Sequence, residues 1–227
     1  MLSIGIEGLD RIIGGIPERY VITVFGTYGT GKTTFGLHFI YEGLRNGENC
    51  IFISLDEDEE SIIETAEGFG MEFGKYIESK NLEVLRLDPI IIKESIEKLS
   101  GDLINLIRKT NASRIVIDTI SILESLFDEK ERWVALSNFR NTIKKGGLTA
   151  IFTSEADKIN PTSTKYGILE YMSDGAIALR YIRREITEEP LLALEIVKIR
   201  RMKHPRKLIP YVITERGIEV LTEAEVF

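Results

Sequence analysis

The chain of 227 residues contains no glutamine, one cysteine, one tryptophan and two histidines. With a single thiol, Cys50, no intrachain disulfide can form; it precedes an apolar strand and reads as a buried filler. No apolar stretch reaches about 18 residues, so no transmembrane helix is expected. The opening MLSIGIEGLD lacks a basic region followed by a long apolar run, so no signal peptide is expected and cytoplasm is the default. Low-complexity segments, internal repeats and linkers rich in Gly, Pro or Ser are missing too. The length therefore reads as one α/β domain over residues 1–227. Nor is there an excess of positive charge. Lys and Arg number 29 against 36 Asp and Glu, for a net charge of −7. Such a field does not favour nucleic acid, although a local basic patch could still bind it. Charge of both signs is plentiful, at 29% of residues, and isoleucine is abundant. Together with the missing glutamine this is the composition of a thermophile.

Against that background, residues 26–33 read GTYGTGKT and match G-x-x-x-x-G-K-[ST]. Gly26, Gly29 and Gly31 allow a loop whose amides turn inward around an anion, with Thr27, Tyr28 and Thr30 between them. Lys32 would reach the β- and γ-phosphates of a nucleotide, and the Thr33 hydroxyl would ligate Mg²⁺. Thr34 opens a helix whose N-terminal amides face the same phosphates. The pattern alone arises by chance roughly once in a hundred chains of this length. Its context is what makes it informative. Tyr20–Phe25 is an apolar, β-rich run leading into the loop, and Thr34–Arg45 has helical spacing. Strand, loop and helix are what phosphate binding requires.

Apolar runs then alternate with helical patterns. Strands are expected at Cys50–Leu55, Leu82–Leu87, Arg114–Asp118 and Leu148–Thr153, with helices at Glu59–Met71, Lys93–Thr110 and Lys130–Lys145. This order predicts a mostly parallel sheet with helices on both faces. The last third changes character: Ala176–Ile182, Leu191–Arg200, Leu208–Ile213 and Ile218–Leu221 read as strands with short connections. Turn signals at Glu189-Pro190 and Arg216-Gly217 make them an antiparallel extension.

Ligands of open α/β sheets bind at the carboxyl ends of the strands. Asp118 ends RIVID and would hold Mg²⁺, directly or through water; otherwise it caps the strand. Asp56 and Glu57 follow FISL, and a carboxylate there can orient or deprotonate an attacking water. The alternative, a solvated acidic face at a helix N-terminus, covers Asp58, Glu59 and Glu60 well. Ser154 and Glu155 follow LTAIFT and either sense the γ-phosphate or are ordinary polar strand ends. Lys198 and Arg200, two apart on a strand and followed by His204, could reach a neighbouring subunit's γ-phosphate. By spacing alone a solvated basic edge is the better reading of them.

Four segments, SIGIEGLDRIIGGIPE, FISLDEDEESII, RIVIDTIS and EYMSDGAIAL running on to KIRRMKH, resemble in order and spacing the KaiC-like branch of the RecA/RadA ATPase superfamily, in its single-domain form. The resemblance covers nearly the whole chain. It implies a RecA-type core and ATP with Mg²⁺ bound between subunits, usually in a hexameric ring. Hydrolysis would use Glu57, the second of the family's paired glutamates, with Lys198, Arg200 and His204 matching its finger motif. Glu155 matches a polar coupling position. Three departures stand out. Asp56 replaces the first paired glutamate. Arg201 replaces the glycine that follows the finger arginine. Glu170 and Tyr171 stand where the self-phosphorylating half of the clock protein has Ser and Thr, so autokinase activity is not expected.

Three functions fit these residues. The first is a regulatory ATPase that signals to a protein partner of unknown identity through assembly or shape change. The second is a recombination mediator binding single-stranded DNA through Ala156–Leu169, which holds Lys158, Lys165 and Tyr166. The third is an ATP-bound scaffold that turns over slowly.

Overall fold

The computed structural model describes residues 1–94, 96–182 and 190–222. Its elements in chain order are α1 (Glu7–Ile13), β1 (Val21–Gly26), α2 (Lys32–Arg45), β2 (Cys50–Ser54), α3 (Glu59–Gly68), α4 (Phe73–Glu78) and β3 (Leu82–Arg86). There follow α5 (Pro89–Glu94), α6 (Ile96–Thr110), β4 (Arg114–Asp118), α7 (Ile120–Ser125), α8 (Glu129–Lys145) and β5 (Thr149–Glu155). The chain closes with α9 (Leu169–Met172), β6 (Gly175–Ile182), β7 (Leu191–Ile199), β8 (Ile209–Thr214) and β9 (Gly217–Val220).

All the strands join one sheet of order β3-β2-β4-β5-β1-β6-β7-β8-β9. The pairs from β3 through β6 are parallel, and those from β6 through β9 are antiparallel. Every residue of β1, β2 and β4 is buried, which is why these segments read as unbroken apolar runs rather than alternating ones. One apolar cluster on one face joins α1, α2, α3 and the inner side of β7–β9; another on the opposite face joins α6, α7 and α8. The mixed α/β sheet with an antiparallel C-terminal extension is the architecture the sequence predicts.

Local chemistry sets several boundaries. Asp58 caps α3 by accepting from the Ser61 amide at 2.8 Å. Asp128 and Glu131 form a reciprocal capping box on α8. The helix expected over Lys93–Thr110 has helical residues before its predicted start, with Pro89 opening α5, and α6 ends at Thr110 as expected; Ser95, between them, lies outside the described residues. The helix expected to reach Met71 stops at Gly68, and Gly70 then takes a φ of 74°. Four short helices, α1, α4, α7 and α9, have no counterpart in the sequence reading, being too brief to set a 3.6-residue period. The turn at Arg216-Gly217 does join β8 to β9, with Gly217 at φ 90°. Of the other turn signal, Glu189 lies outside the described residues. Cys50 is buried, and burial pushes its thiol up to about 12. Among the described residues, no helix is long and apolar enough to cross a membrane.

Candidate functional site

The carboxyl ends of β1, β2, β4 and β5 surround a cavity of about 370 Å³. Thr27, Tyr28, Lys32 and Thr33 line it from the loop after β1, and Asp56, Glu57, Asp118 and Glu155 from the other strand ends. Thr119, Ala156 and Lys158 complete the wall. The position is the one an open α/β sheet gives its ligand.

The loop has the shape its glycines permit. Gly29 and Gly31 sit at φ 72° and 83°, in the left-handed region. A β-carbon on Gly26 would come within 2.5 Å of the Leu179 carbonyl oxygen and of Thr30 Oγ1. Thr30 itself is fully buried and donates its hydroxyl to Thr27 O at 2.8 Å, so its side chain braces the loop from within. Lys32 Nζ donates to Thr27 O at 2.8 Å. Burial lowers the Lys32 pKa, while Asp118 and Glu155 pull it back up. Thr34 is buried in the first turn of α2, and Tyr28 is 90% exposed at the cavity mouth.

Asp118 is joined to the loop directly: Thr33 Oγ1 donates to its Oδ2 at 2.8 Å. Its Oδ1 accepts from Thr153 Oγ1. Burial pushes the Asp118 carboxyl above the ordinary range; the Thr153 and Thr33 hydroxyls and Lys32 oppose this, and Asp56 adds to it. The neighbouring Thr119 is fixed by bonds to Ser121 Oγ at 2.9 Å and Thr153 O at 3.0 Å. Glu57 is exposed, and its carboxyl is raised by partial burial and then by the charges of Asp118, Asp56 and Asp58. A raised carboxylate is a better proton acceptor.

Strand alternation separates Ser154 from its neighbours. Thr153 and Glu155 face the cavity side, whereas Ser154 is fully buried on the other, 3.5 Å from Glu124 Oε2. Ser154 is therefore not placed to touch a ligand in the cavity. Period-2 spacing was the signal that could have selected Thr153 over it. Burial pushes the Glu124 carboxyl up to about 8. Glu155 is held by Lys165 Nζ at 2.6 Å, and Tyr166 lies under the Arg132 guanidinium at 3.9 Å. The two loop side chains read as suited to single-stranded DNA are thus already engaged, and the third, Lys158, lines the cavity.

Lys198, Arg200 and His204 lie elsewhere. β7 runs against β6, so its end meets the start of β1: the Tyr20 hydroxyl donates to Arg200 O at 3.0 Å. Six residues of β1 separate that point from the loop, roughly 20 Å at about 3.3 Å per residue. Neither Lys198 nor Arg200 can serve the cavity of its own chain. β7 ends at Ile199, so a turn rather than strand alternation aims Arg200. Arg201 occupies the turn at φ 60°, adopting the left-handed conformation a glycine would take freely. The Arg200 amide donates to Asp174 O at 2.8 Å, and its guanidinium donates to Tyr171 O at 2.8 Å. The Asp174 carboxylate is shared by Lys144 at 2.7 Å, Arg140 at 3.2 Å and Arg200 at 3.8 Å. Lys198 is lowered by burial and by the nearby Arg200. His204 Nδ1 contacts Pro205 O at 3.1 Å.

A glycine loop bonded to a strand-end aspartate, on a sheet of this order, defines a RecA-type P-loop core of the ATP-binding class. The comparisons narrow it: a family model described as "ATPase: KaiC" matches residues 2–225. The chain belongs to the KaiC family of ATPases. It is 32% identical over 227 residues to the circadian clock oscillator protein KaiC of Synechococcus elongatus, covering 95% of this chain and 43% of that protein. To the circadian clock protein KaiC2 of Synechocystis it is 31% identical over 229 residues, covering 96% and 39%. The chain thus spans less than half the length of these curated relatives. A crystal structure of KaiC-like protein PH0186 from the hyperthermophilic archaeon Pyrococcus horikoshii superposes with a TM-score of 0.82 at 30% identity, covering 96% of this chain and 97% of that one.

Proposed function

We propose that this protein is an Mg²⁺-dependent ATPase whose sites are completed across a seam between copies. The observation that carries this reading is the separation of the two charged clusters. The cavity holds Lys32, Asp118 and Glu57, whereas Lys198 and Arg200 sit at the far end of the sheet, beyond reach of their own cavity. Cations so placed can meet a triphosphate only on another copy.

The residues present fit a magnesium ion. Thr33 Oγ1 and Asp118 Oδ2 already lie 2.8 Å apart at the end of the loop, a pair of hard oxygen donors. Among the described residues no group of three or more His, Cys, Asp or Glu forms a cage, in keeping with an ion shared with substrate phosphates. When bound, Mg²⁺ would neutralise charge on the β- and γ-phosphate oxygens. Lys32 would leave Thr27 O for the phosphates, exchanging a neutral acceptor for an anionic one. Glu57 would orient water in line with the γ-phosphorus and take its proton, with Asp56 beside it. Lys198 and Arg200 of the neighbouring copy would stabilise the charge that develops in the transition state.

Glu57→Gln tests the catalytic assignment. The expected result is a fall of about 10²–10³ in kcat with KM for ATP within about threefold, because the amide keeps the shape but cannot accept the proton. Equal rates for the parent and Glu57→Gln would remove Glu57 from the reaction and favour a slow scaffold.

A further inference from the structure

A cradle of amides works only if each peptide plane is turned the right way. In a trans peptide the carbonyl of one residue and the N–H of the next share a plane and point in opposite directions. Whatever grips a loop carbonyl from behind therefore decides where the following amide points.

Among the described residues, the amides of Tyr28 to Thr34 donate to no protein acceptor. The carbonyls of the same loop are held. Gly26 O accepts from the Ala156 amide at 3.1 Å, and Thr27 O accepts from Thr30 Oγ1 and Lys32 Nζ, each at 2.8 Å. Two further grips come from outside the glycine motif. Tyr181, on β6, donates its hydroxyl to Gly29 O at 2.9 Å. Tyr211, on β8, donates to Thr30 O at 2.6 Å. Tyr211 is 1% exposed, and burial holds its phenol above the ordinary range, so it remains a donor. The same strands press on the back of the loop. A β-carbon on Gly29 would lie 2.7 Å from Tyr181 Oη, and one on Gly31 would lie 3.0 Å from Ile213 Cδ1.

We propose that Tyr211 and Tyr181 are positioning residues for phosphate binding, each fixing a peptide plane so that the amide opposite its grip, Gly31 for Tyr211 and Thr30 for Tyr181, faces the inside of the loop. This rests on reading the loop as a phosphate cradle. It gives the antiparallel extension a part in the nucleotide site of its own chain. Neither tyrosine touches the phosphates; each acts through a peptide plane. Losing the hydroxyl leaves the carbonyl free to rotate, and the amide with it.

Tyr211→Phe and Tyr181→Phe, titrated with tripolyphosphate and with Mg-ATP beside the parent chain, test the inference. Tripolyphosphate affinity is expected to fall about tenfold for Tyr211→Phe, the equivalent of one well-placed hydrogen bond, and about threefold for the more exposed Tyr181→Phe. KM for ATP should rise in step, with kcat at saturation within about twofold. A merely structural role would lower the melting temperature and leave affinity unchanged, and that result overturns the inference while the functional reading stands. Failure of the parent to bind either ligand overturns both. Should Tyr211→Phe not fold, Tyr181→Phe decides alone, since its ring is 42% exposed: unchanged affinity refutes the proposal.

Discussion

The two ends of the sheet are built in opposite ways. At the carboxyl end Asp56, Glu57, Asp118 and Glu155 surround a cavity with Lys32 and Lys158 as its cations. At the other end Arg140, Lys144 and Arg200 converge on Asp174, with Lys198 close by. The acidic end is built from strand tips that the parallel topology brings together. The basic end depends on the direction of β7, which returns against β6. An end short of positive charge and an end with a surplus cannot satisfy one another within a chain. Between copies they can, and the proposed shared site rests on that complementarity.

Removing one cation from each end separates their roles. Arg200→Ala should lower kcat by about 10³, the lower range for a finger arginine, while nucleotide affinity changes by less than about threefold. Lys32→Ala should do the opposite in kind, weakening Mg-ATP binding by about 100-fold through loss of a charge-assisted contact. If Arg200→Ala weakened binding as much as Lys32→Ala, the two ends would not divide the work between turnover and capture. Kinetics and equilibrium titration on the same preparations separate these outcomes.

A smaller effect sharpens how the parallel core and the antiparallel extension are joined. His38, on α2, accepts from the Ile218 amide of β9 through Nε2 at 2.9 Å. A β-carbon on Gly217 would lie 2.3 Å from that nitrogen. Burial lowers the His38 pKa to about 4, against opposing contributions from the Gly5 carbonyl and Asp10. The neutral ring is thus favoured in the fold, and the unfolded chain binds the extra proton first. Stability should therefore fall as pH drops from about 6.5 to about 4, by at most roughly 3 kcal/mol. In His38→Gln, which keeps an acceptor but does not titrate, denaturation midpoints across that window should lose most of this slope. An identical slope would assign the acid sensitivity to other groups.

What was legible in the sequence was local. The run Val21–Gly26, the loop and α2 follow from residue type and spacing, because a buried parallel strand and a glycine turn leave strong local marks. So did β4, through the apolar run Ile115–Ile117. Hidden from spacing was whatever depends on a partner distant in sequence. Lys158, read as part of a basic loop, lines the cavity because that loop folds back through the Ala156–Thr164 bridge. Tyr181 and Tyr211 lie more than 150 residues beyond the glycines they support, and no motif links them. The placement of Ser154 was within reach but required treating alternation along β5 as a constraint. Arg201 shows the reverse case: the sequence put the turn in question, yet the left-handed backbone forms around an arginine, at a cost of about 1–2 kcal/mol.

The proposed site draws on two copies. Mixing equal amounts of Glu57→Gln and Arg200→Ala chains under assembling conditions tests it most directly, by ATP turnover. Each variant alone lacks one part at every seam, whereas in a mixed assembly roughly a quarter of seams pair an intact Glu57 with an intact Arg200. The account predicts that the mixture hydrolyses ATP well above the sum of its two components. Turnover equal to that sum, in assemblies demonstrated to be mixed, would contradict it.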